Sequence, residues 1–153
     1  MLRLNLPAYE TKICRREGKL QILDPLRKAY VALTPEEWVR QHFVNFLATA
    51  KGFPTALMAN EVTITLNGMK RRCDTVVYDM GLRPRVIVEY KAPTVKITKE
   101  VFAQISRYNL TLRVDYLIIS NGLQHYCCRM DYEKGSYTFL QDIPEYQEII
   151  KGE

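Results

Sequence analysis

The chain has 153 residues, 47% of them hydrophobic and 25% charged, the balance of a globular domain rather than a disordered one. One ordinary domain fits this length, which leaves no room for a motor ATPase or a multi-domain machine. Lysine and arginine number 22 against 17 acidic residues, and the formal net charge of +5 permits a polyanionic partner without identifying one.

Residues 1–33 are mixed, with LQILD and YVAL as short apolar runs, and read as an N-terminal extension, an extended arm or edge strand packed on the core. A single domain is expected over 34–153. Thr34-Pro35-Glu36-Glu37 is a helix start: Thr34 can cap, Pro35 suits the first helical position and Glu37 completes a capping box. Trp38, Val39, Phe43, Phe46 and Leu47 then recur at helical spacing until Lys51-Gly52. After Pro54 the period falls to two, and Glu61 to Leu66 meets Asn67-Gly68, a strong hairpin signal. Lys70 to Asp79 returns as a second strand, and Val86-Ile87-Val88 begins a third after the turn at Met80 to Pro84. A helix comes next, from about Thr98 through Tyr108, then a buried strand at Tyr116 to Ser120, the Asn121-Gly122 turn and a partner strand from His125 to Met130. Ser136 to Leu140 suits an edge strand, with a short helix opened by Pro144. The order is α-β-β-β-α-β-β, a mixed α/β domain whose central sheet is flanked by helices.

Cys14, Cys73, Cys127 and Cys128 form no C-x-x-C pair and no zinc-ligand spacing, so reduced and mostly buried thiols are expected. The start MLRLNLPAYETK is broken by Pro7 and charges and reads as no signal peptide. No apolar run reaches the length of about eighteen residues that a membrane helix needs. A cytoplasmic protein with no membrane partner is the expectation.

The informative chemistry lies in Arg72-Cys73-Asp74 and Val88-Glu89-Tyr90-Lys91. Side chains alternate along a strand, so Glu89 and Lys91 share a face while Tyr90 points away. A turn centred between Gly81 and Leu82 sets Asp74 opposite Glu89, since both are equidistant from it. Like charges so placed repel and call for a cation, and Mg²⁺, which takes oxygen ligands and usually one or two carboxylates, is the natural candidate. An E-x-K on a strand is equally the pattern of a solvated charge pair. What favours a site is its place at the end of an apolar, inner strand, where unpaired charge is costly. On the next helix Gln104 and Tyr108 are four apart and share a face, with Arg107 alongside.

Together these segments resemble the N-terminal nuclease domain of type I restriction endonuclease R (HsdR-like) subunits, in the PD-(D/E)xK nuclease superfamily. The resemblance runs from about Pro35 to Met130. It rests on Pro35-Glu36-Glu37-Trp38-Val39-Arg40-Gln41, Arg72-Cys73-Asp74, Val88-Glu89-Tyr90-Lys91-Ala92-Pro93, Gln104 with Tyr108, Arg107 and Asn109, and Ser120-Asn121-Gly122. Cys73 stands where the family often has proline, a position outside the chemistry. The resemblance implies a restriction-endonuclease-like core and a metal-dependent endonuclease. Asp74, Glu89 and the Tyr90 carbonyl would hold Mg²⁺ (or Mn²⁺), and Lys91 would serve the attacking water or the transition state. Gln104 and Tyr108 would order the lysine or touch the DNA strand. Glu37 has two readings, an extra acidic group at the site or simply the capping box. No helicase motor is present in these residues, so translocation is not expected of them, and a motor or specificity subunit on another chain is an expected partner.

Double-stranded DNA would be contacted at its phosphates by Lys70, Arg71, Arg72, Lys96, Lys99 and Arg107, with Arg83 and Arg85 near the hairpin ends. A solvated basic face is the competing account of these charges. His42 and His125 form no set with a nearby serine or cysteine and read as packing and strand residues. A second copy of the chain is an allowed partner. The alternative to a nuclease is a non-catalytic DNA-binding or assembly module of the same fold, acting with a partner chain.

Overall fold

The computed structural model describes residues 2–110 and 112–151, apart from the side chains of Leu66 and Tyr108. Three strands come first, β1 (Ile13–Arg16), β2 (Lys19–Asp24) and β3 (Ala29–Ala32), before α1 (Pro35–Ala50) and a 3₁₀ turn at Thr55–Leu57. Then come β4 (Met58–Leu66), β5 (Met69–Tyr78), β6 (Pro84–Tyr90), α2 (Lys99–Leu110), β7 (Tyr116–Ser120), β8 (His125–Asp131), β9 (Ser136–Leu140) and α3 (Tyr146–Lys151). Strands β4 to β9 form one sheet in sequence order, antiparallel except where β6 and β7 pair parallel across the α2 crossover. The result is a mixed α/β domain with a central mixed sheet and helices.

Residues 13–32 are not an arm or a lone edge strand. They form an antiparallel three-stranded meander. Its first hairpin turns on Glu17 and Gly18, both at positive φ (51° and 76°), the twist that matches paired strands. Glutamate is not among the residues that normally advertise such a turn, and so the pattern hides. The Asn67-Gly68 turn, with φ of 51° and 78°, joins β4 to β5 where the sequence places it.

The sheet buries both faces. Val86, Val88, Tyr90 and Ile118 pack toward α1, with Phe43 and Leu47 of that helix and Ile149 of α3. Ile87, Leu117 and Ile119 pack toward α2, with Phe102 and Ile105. The adjacent Cys127 and Cys128 therefore lie on opposite faces, and all four cysteines are free thiols, three of them buried. Helix α1 begins as its sequence dictates, Thr34 Oγ1 accepting the Glu37 N–H at 3.0 Å, but the Glu37 carboxylate turns elsewhere and leaves the capping box half made. Among the described residues no helix is long and apolar enough to cross a membrane.

Candidate metal and nucleic-acid site

Register builds the site. The β5–β6 ladder runs from Val77↔Val86 to Thr75↔Val88, and one step further along it sets Asp74 opposite Glu89. It reaches that register by its own route. The turn is closed by Asp79 and Arg83, centred on Gly81, and β6 carries one extra residue, Arg85, where the register shifts. On the other side, Asn60↔Thr75 and Val62↔Cys73 leave Glu61 opposite Asp74. Glu61, Asp74 and Glu89 thus form a row across three neighbouring strands.

The row coincides with a kink. Glu61 has φ +57°, a conformation that costs a non-glycine residue about 1–3 kcal/mol. Before it, Asn60 reaches Thr75, whose hydroxyl meets the Tyr90 hydroxyl on the α1 side (2.7 and 2.9 Å). Beyond it, Val62 and Cys73 pack toward α2. At the kink the Asp74 carbonyl accepts a hydrogen bond from Arg40 Nη1 at 2.8 Å.

Asp74 Oδ2 accepts the Tyr90 N–H at 2.9 Å. Glu89 is 7% exposed, and burial, the Asp74 charge and a hydrogen bond with the Asp74 carboxyl push its pKa up to about 9. Arg71 Nη2, 3.2 Å from Glu89 Oε1, pulls the other way and does not prevail. Two carboxyl groups set together at the edge of a cleft, one of them buried, offer oxygen donors of the kind a hard dication accepts. Among the described residues no group of three or more His, Cys, Asp or Glu side chains is placed to hold a metal. Glu61 does not supply a third, because Arg40 (2.8 Å) and Arg72 (2.7 Å) occupy its oxygens. The set fits Mg²⁺, which commonly takes one or two carboxylates and completes its shell with water and phosphate oxygen.

These groups line a cleft of 440 Å³ that also receives Lys91, Arg71 and Arg72. Lys91 comes directly after the last residue of β6, and its N–H donates to the Ser120 carbonyl at 2.9 Å. The Ser120-Asn121-Gly122 turn braces that segment, since Asn121 Nδ2 donates to Val95 O and Asn121 Oδ1 accepts the Leu123 and Gln124 N–H groups.

Other expected residues stand apart. Glu37 is buried but does not line the cleft. Its carboxylate takes hydrogen bonds from Arg27 (2.7 Å), Arg40 (2.7 and 2.9 Å) and Gln41 (2.9 Å). Burial alone would raise its pKa, but those donors and the Arg40 charge hold it below the usual carboxylate range. Gln104 and Arg107 are exposed on α2 and do not line the cleft, and the Tyr108 side chain lies outside the described residues. Lys70, Lys96 and Lys99 are exposed. Arg71 and Arg72 are not loose surface cations, being ion-paired with Glu89 and Glu61. Arg85 leaves the basic face altogether, 2% exposed at the far end of β6 and held by Asp79, Asp115 and the Ile149 carbonyl. Arg83 joins Asp79 and Asp115 there.

His42 is buried and donates from Nδ1 to the Trp38 carbonyl, with its pKa lowered by burial. His125 Nε2 donates to the Asn5 carbonyl, so Nδ1 accepts from the Ser120 hydroxyl at 2.7 Å. Sequence reading passed over two residues of the site, Arg40 and Glu61. Both left signals: Arg40 is a charge on the buried stripe of α1, and the two-residue turn at Asn67-Gly68 by itself sets 61 opposite 74.

The family model for the N terminus of type I restriction enzyme R proteins matches residues 35–144. A solved fragment assigned to the HsdR subunit of a type I restriction enzyme from Vibrio vulnificus YJ016 is similar, with a TM-score of 0.55 and 19% identity, over 78% of this chain and 25% of that one. At that identity the likeness speaks to the fold, and the chain spans about a quarter of that protein's solved length. No curated protein matches the sequence.

Proposed function

Because the chain belongs to the family of type I restriction enzyme R protein N-terminal domains, we propose that it is a metal-dependent DNA endonuclease domain with a PD-(D/E)xK core. The observation that carries this reading is the register that sets Asp74 opposite Glu89 on neighbouring strands, both lining a cleft that Lys91 also lines. Asp74, Glu89 and the Tyr90 carbonyl would hold Mg²⁺, or Mn²⁺ in its place. When bound, the ion supplies an acidified water and charge neutralisation at the scissile phosphate. Asp74 is aimed for this by the Tyr90 N–H, and Glu89 by the inner strand that buries it. Among the described residues Lys91 makes no ion pair, so its ammonium remains to steady an oxyanion of the phosphate. Gln104 and Tyr108 would order that lysine or contact the strand.

Phosphates would be met by Lys70, Lys96, Lys99 and Arg107, exposed on the surface, and by Arg71 and Arg72 at the cleft after exchange of their carboxylate partners. Translocation and sequence choice would come from a motor or specificity subunit on another chain. The test is cleavage of supercoiled and linear DNA with Mg²⁺ or Mn²⁺ by the wild type, Asp74→Ala and Lys91→Ala. Metal-dependent nicking by the wild type alone supports the reading, and equal background from all three ends it.

One observation favours a second reading, a DNA-binding or assembly module without catalysis. Arg71 places the chain's own cation on Glu89. Salt-sensitive DNA binding with no Mn²⁺ uptake in calorimetry would select it.

A further inference from the structure

We infer that Arg40, held by Arg27 of the N-terminal meander through Glu37, is a positioning residue that sets Asp74 against Tyr90 and Glu89. Arg40 is 7% exposed, and all three of its nitrogens are committed. Nε and Nη2 go to Glu37, Nη2 also to Glu61, and Nη1 to the Asp74 carbonyl (2.9, 2.7, 2.8 and 2.8 Å). Its guanidinium carbon also lies 5.9 Å from the centre of the Tyr90 ring. One side chain of α1 thereby ties β4, β5 and β6 together at the kink. Only a planar fork reaches so many acceptors at once, and a lysine ammonium in its place cannot.

The relay continues away from the cleft. Arg27 Nη2 donates to Glu37 at 2.7 Å and Arg27 Nε to Asp24, which is fully buried. Asp24 Oδ2 accepts from Asn60 Nδ2 at 2.9 Å, and Asn60 in turn accepts the Thr75 hydroxyl. The turn after β2 thus grips residues 74 and 75 of β5 along two routes. Arg27 and Asp24 precede the family match, which begins at residue 35. On this account the N-terminal meander is a working part of the site, and its effect on metal affinity rests on the function proposed above.

The test reads the position of Asp74 directly, by hydrogen exchange of the Tyr90 amide that donates to Asp74 Oδ2, with the Val88 amide as reference. Arg40→Lys is expected to speed Tyr90 exchange about tenfold and leave Val88 alone, the size of one lost hydrogen bond to a charged group. Arg27→Lys, at the half-exposed end of the relay, is expected to move it in the same direction by less, and answers the question even if Arg40→Lys fails to fold. Arg85→Lys removes an equally buried arginine from the far end of β6 and should raise both amides together or neither. An unchanged Tyr90 amide in the relay variants, or Tyr90 and Val88 rising in step, overturns the inference. Mn²⁺ calorimetry adds the second readout, a loss of about 10-fold or more in affinity for Arg40→Lys, as for removal of an outer partner of a metal ligand. Should the wild type take up no Mn²⁺, the metal reading falls while the amide comparison still decides the relay.

Discussion

Arg71 Nη2 stands 3.2 Å from Glu89 Oε1, so the cation nearest the proposed metal ligand is one the chain supplies itself. Binding of a dication has to displace or share that contact. Arg71→Met is therefore expected to tighten Mn²⁺ binding by about fivefold, the equivalent of roughly 1 kcal/mol for a half-buried pair, while weakening DNA binding and lowering its salt dependence. Mn²⁺ and DNA titrations at two salt concentrations check this. Weaker Mn²⁺ binding would mean that Arg71 organises Glu89 rather than competing for it.

Lys91 separates ligand from helper. It lines the cleft beside both acids, yet among the described residues it forms no ion pair with either. Lys91→Met is expected to cut the single-turnover cleavage rate by about 10²–10³, the scale of one lost transition-state donor, with Mn²⁺ affinity within about twofold of the wild type. Quenched-flow cleavage beside calorimetry makes the distinction. If affinity and rate fall together, the lysine serves the metal.

How much of the fold and site was legible in the sequence depends on which residues announce their geometry. Asn67-Gly68 did so, and through its two-residue turn it sets not only the β4–β5 hairpin but the facing of Glu61 and Asp74. The facing of Asp74 and Glu89 was also readable, though through compensating errors: the real turn is centred on Gly81, and the extra residue Arg85 restores the register. Arg85 read as a basic surface residue because nothing local reveals that Asp79 and Asp115 close over it. Glu17-Gly18 hid a hairpin, and the meander it begins carries Asp24 and Arg27 beneath the site. Long-range ion pairs such as Arg27 with Glu37 have no period and no motif. They become visible only once the chain is folded.

Gly122 has φ +85°, and a Cβ placed there would meet Leu4 Cδ2 at 2.7 Å and Val39 Cγ2 at 3.1 Å. The same turn accepts the Asn5 N–H on the Gly122 carbonyl at 2.8 Å, so it receives the N-terminal segment at close range. Gly122→Ala is expected to cost about 1–3 kcal/mol in urea unfolding. Trimming Leu4 to alanine in the same chain should return the steric part and leave the backbone part. Additive losses in the double variant would show that the contact with Leu4 contributes nothing.

Acid should release the meander before the sheet. Burial alone would raise the pKa of Asp24, yet hydrogen bonds from Asn60 and Arg27, the Arg27 charge and the Leu26 N–H hold it below its ordinary value of 3.8. Glu37 is held below 4.5 in the same way. A carboxyl lowered by folding gives up its proton more readily in the native state. Its stabilisation is therefore complete above the unfolded pKa and is lost as pH falls through the folded one. The urea midpoint is expected to be insensitive to these groups from pH 7 to about 5 and to fall below about pH 4.5, where the unfolded carboxyls begin to hold protons. Asp24→Asn, which lacks the charge, should start lower at pH 7 and fall less steeply. Tryptophan fluorescence reports in the same titration on α1 and the N-terminal segment, because Trp38 lies on that helix and donates its indole N–H to the Leu2 carbonyl at 2.9 Å. Parallel pH curves for the wild type and Asp24→Asn would mean that the Asp24–Arg27–Glu37 chain does not govern acid sensitivity, and some other set of carboxyls would have to account for it.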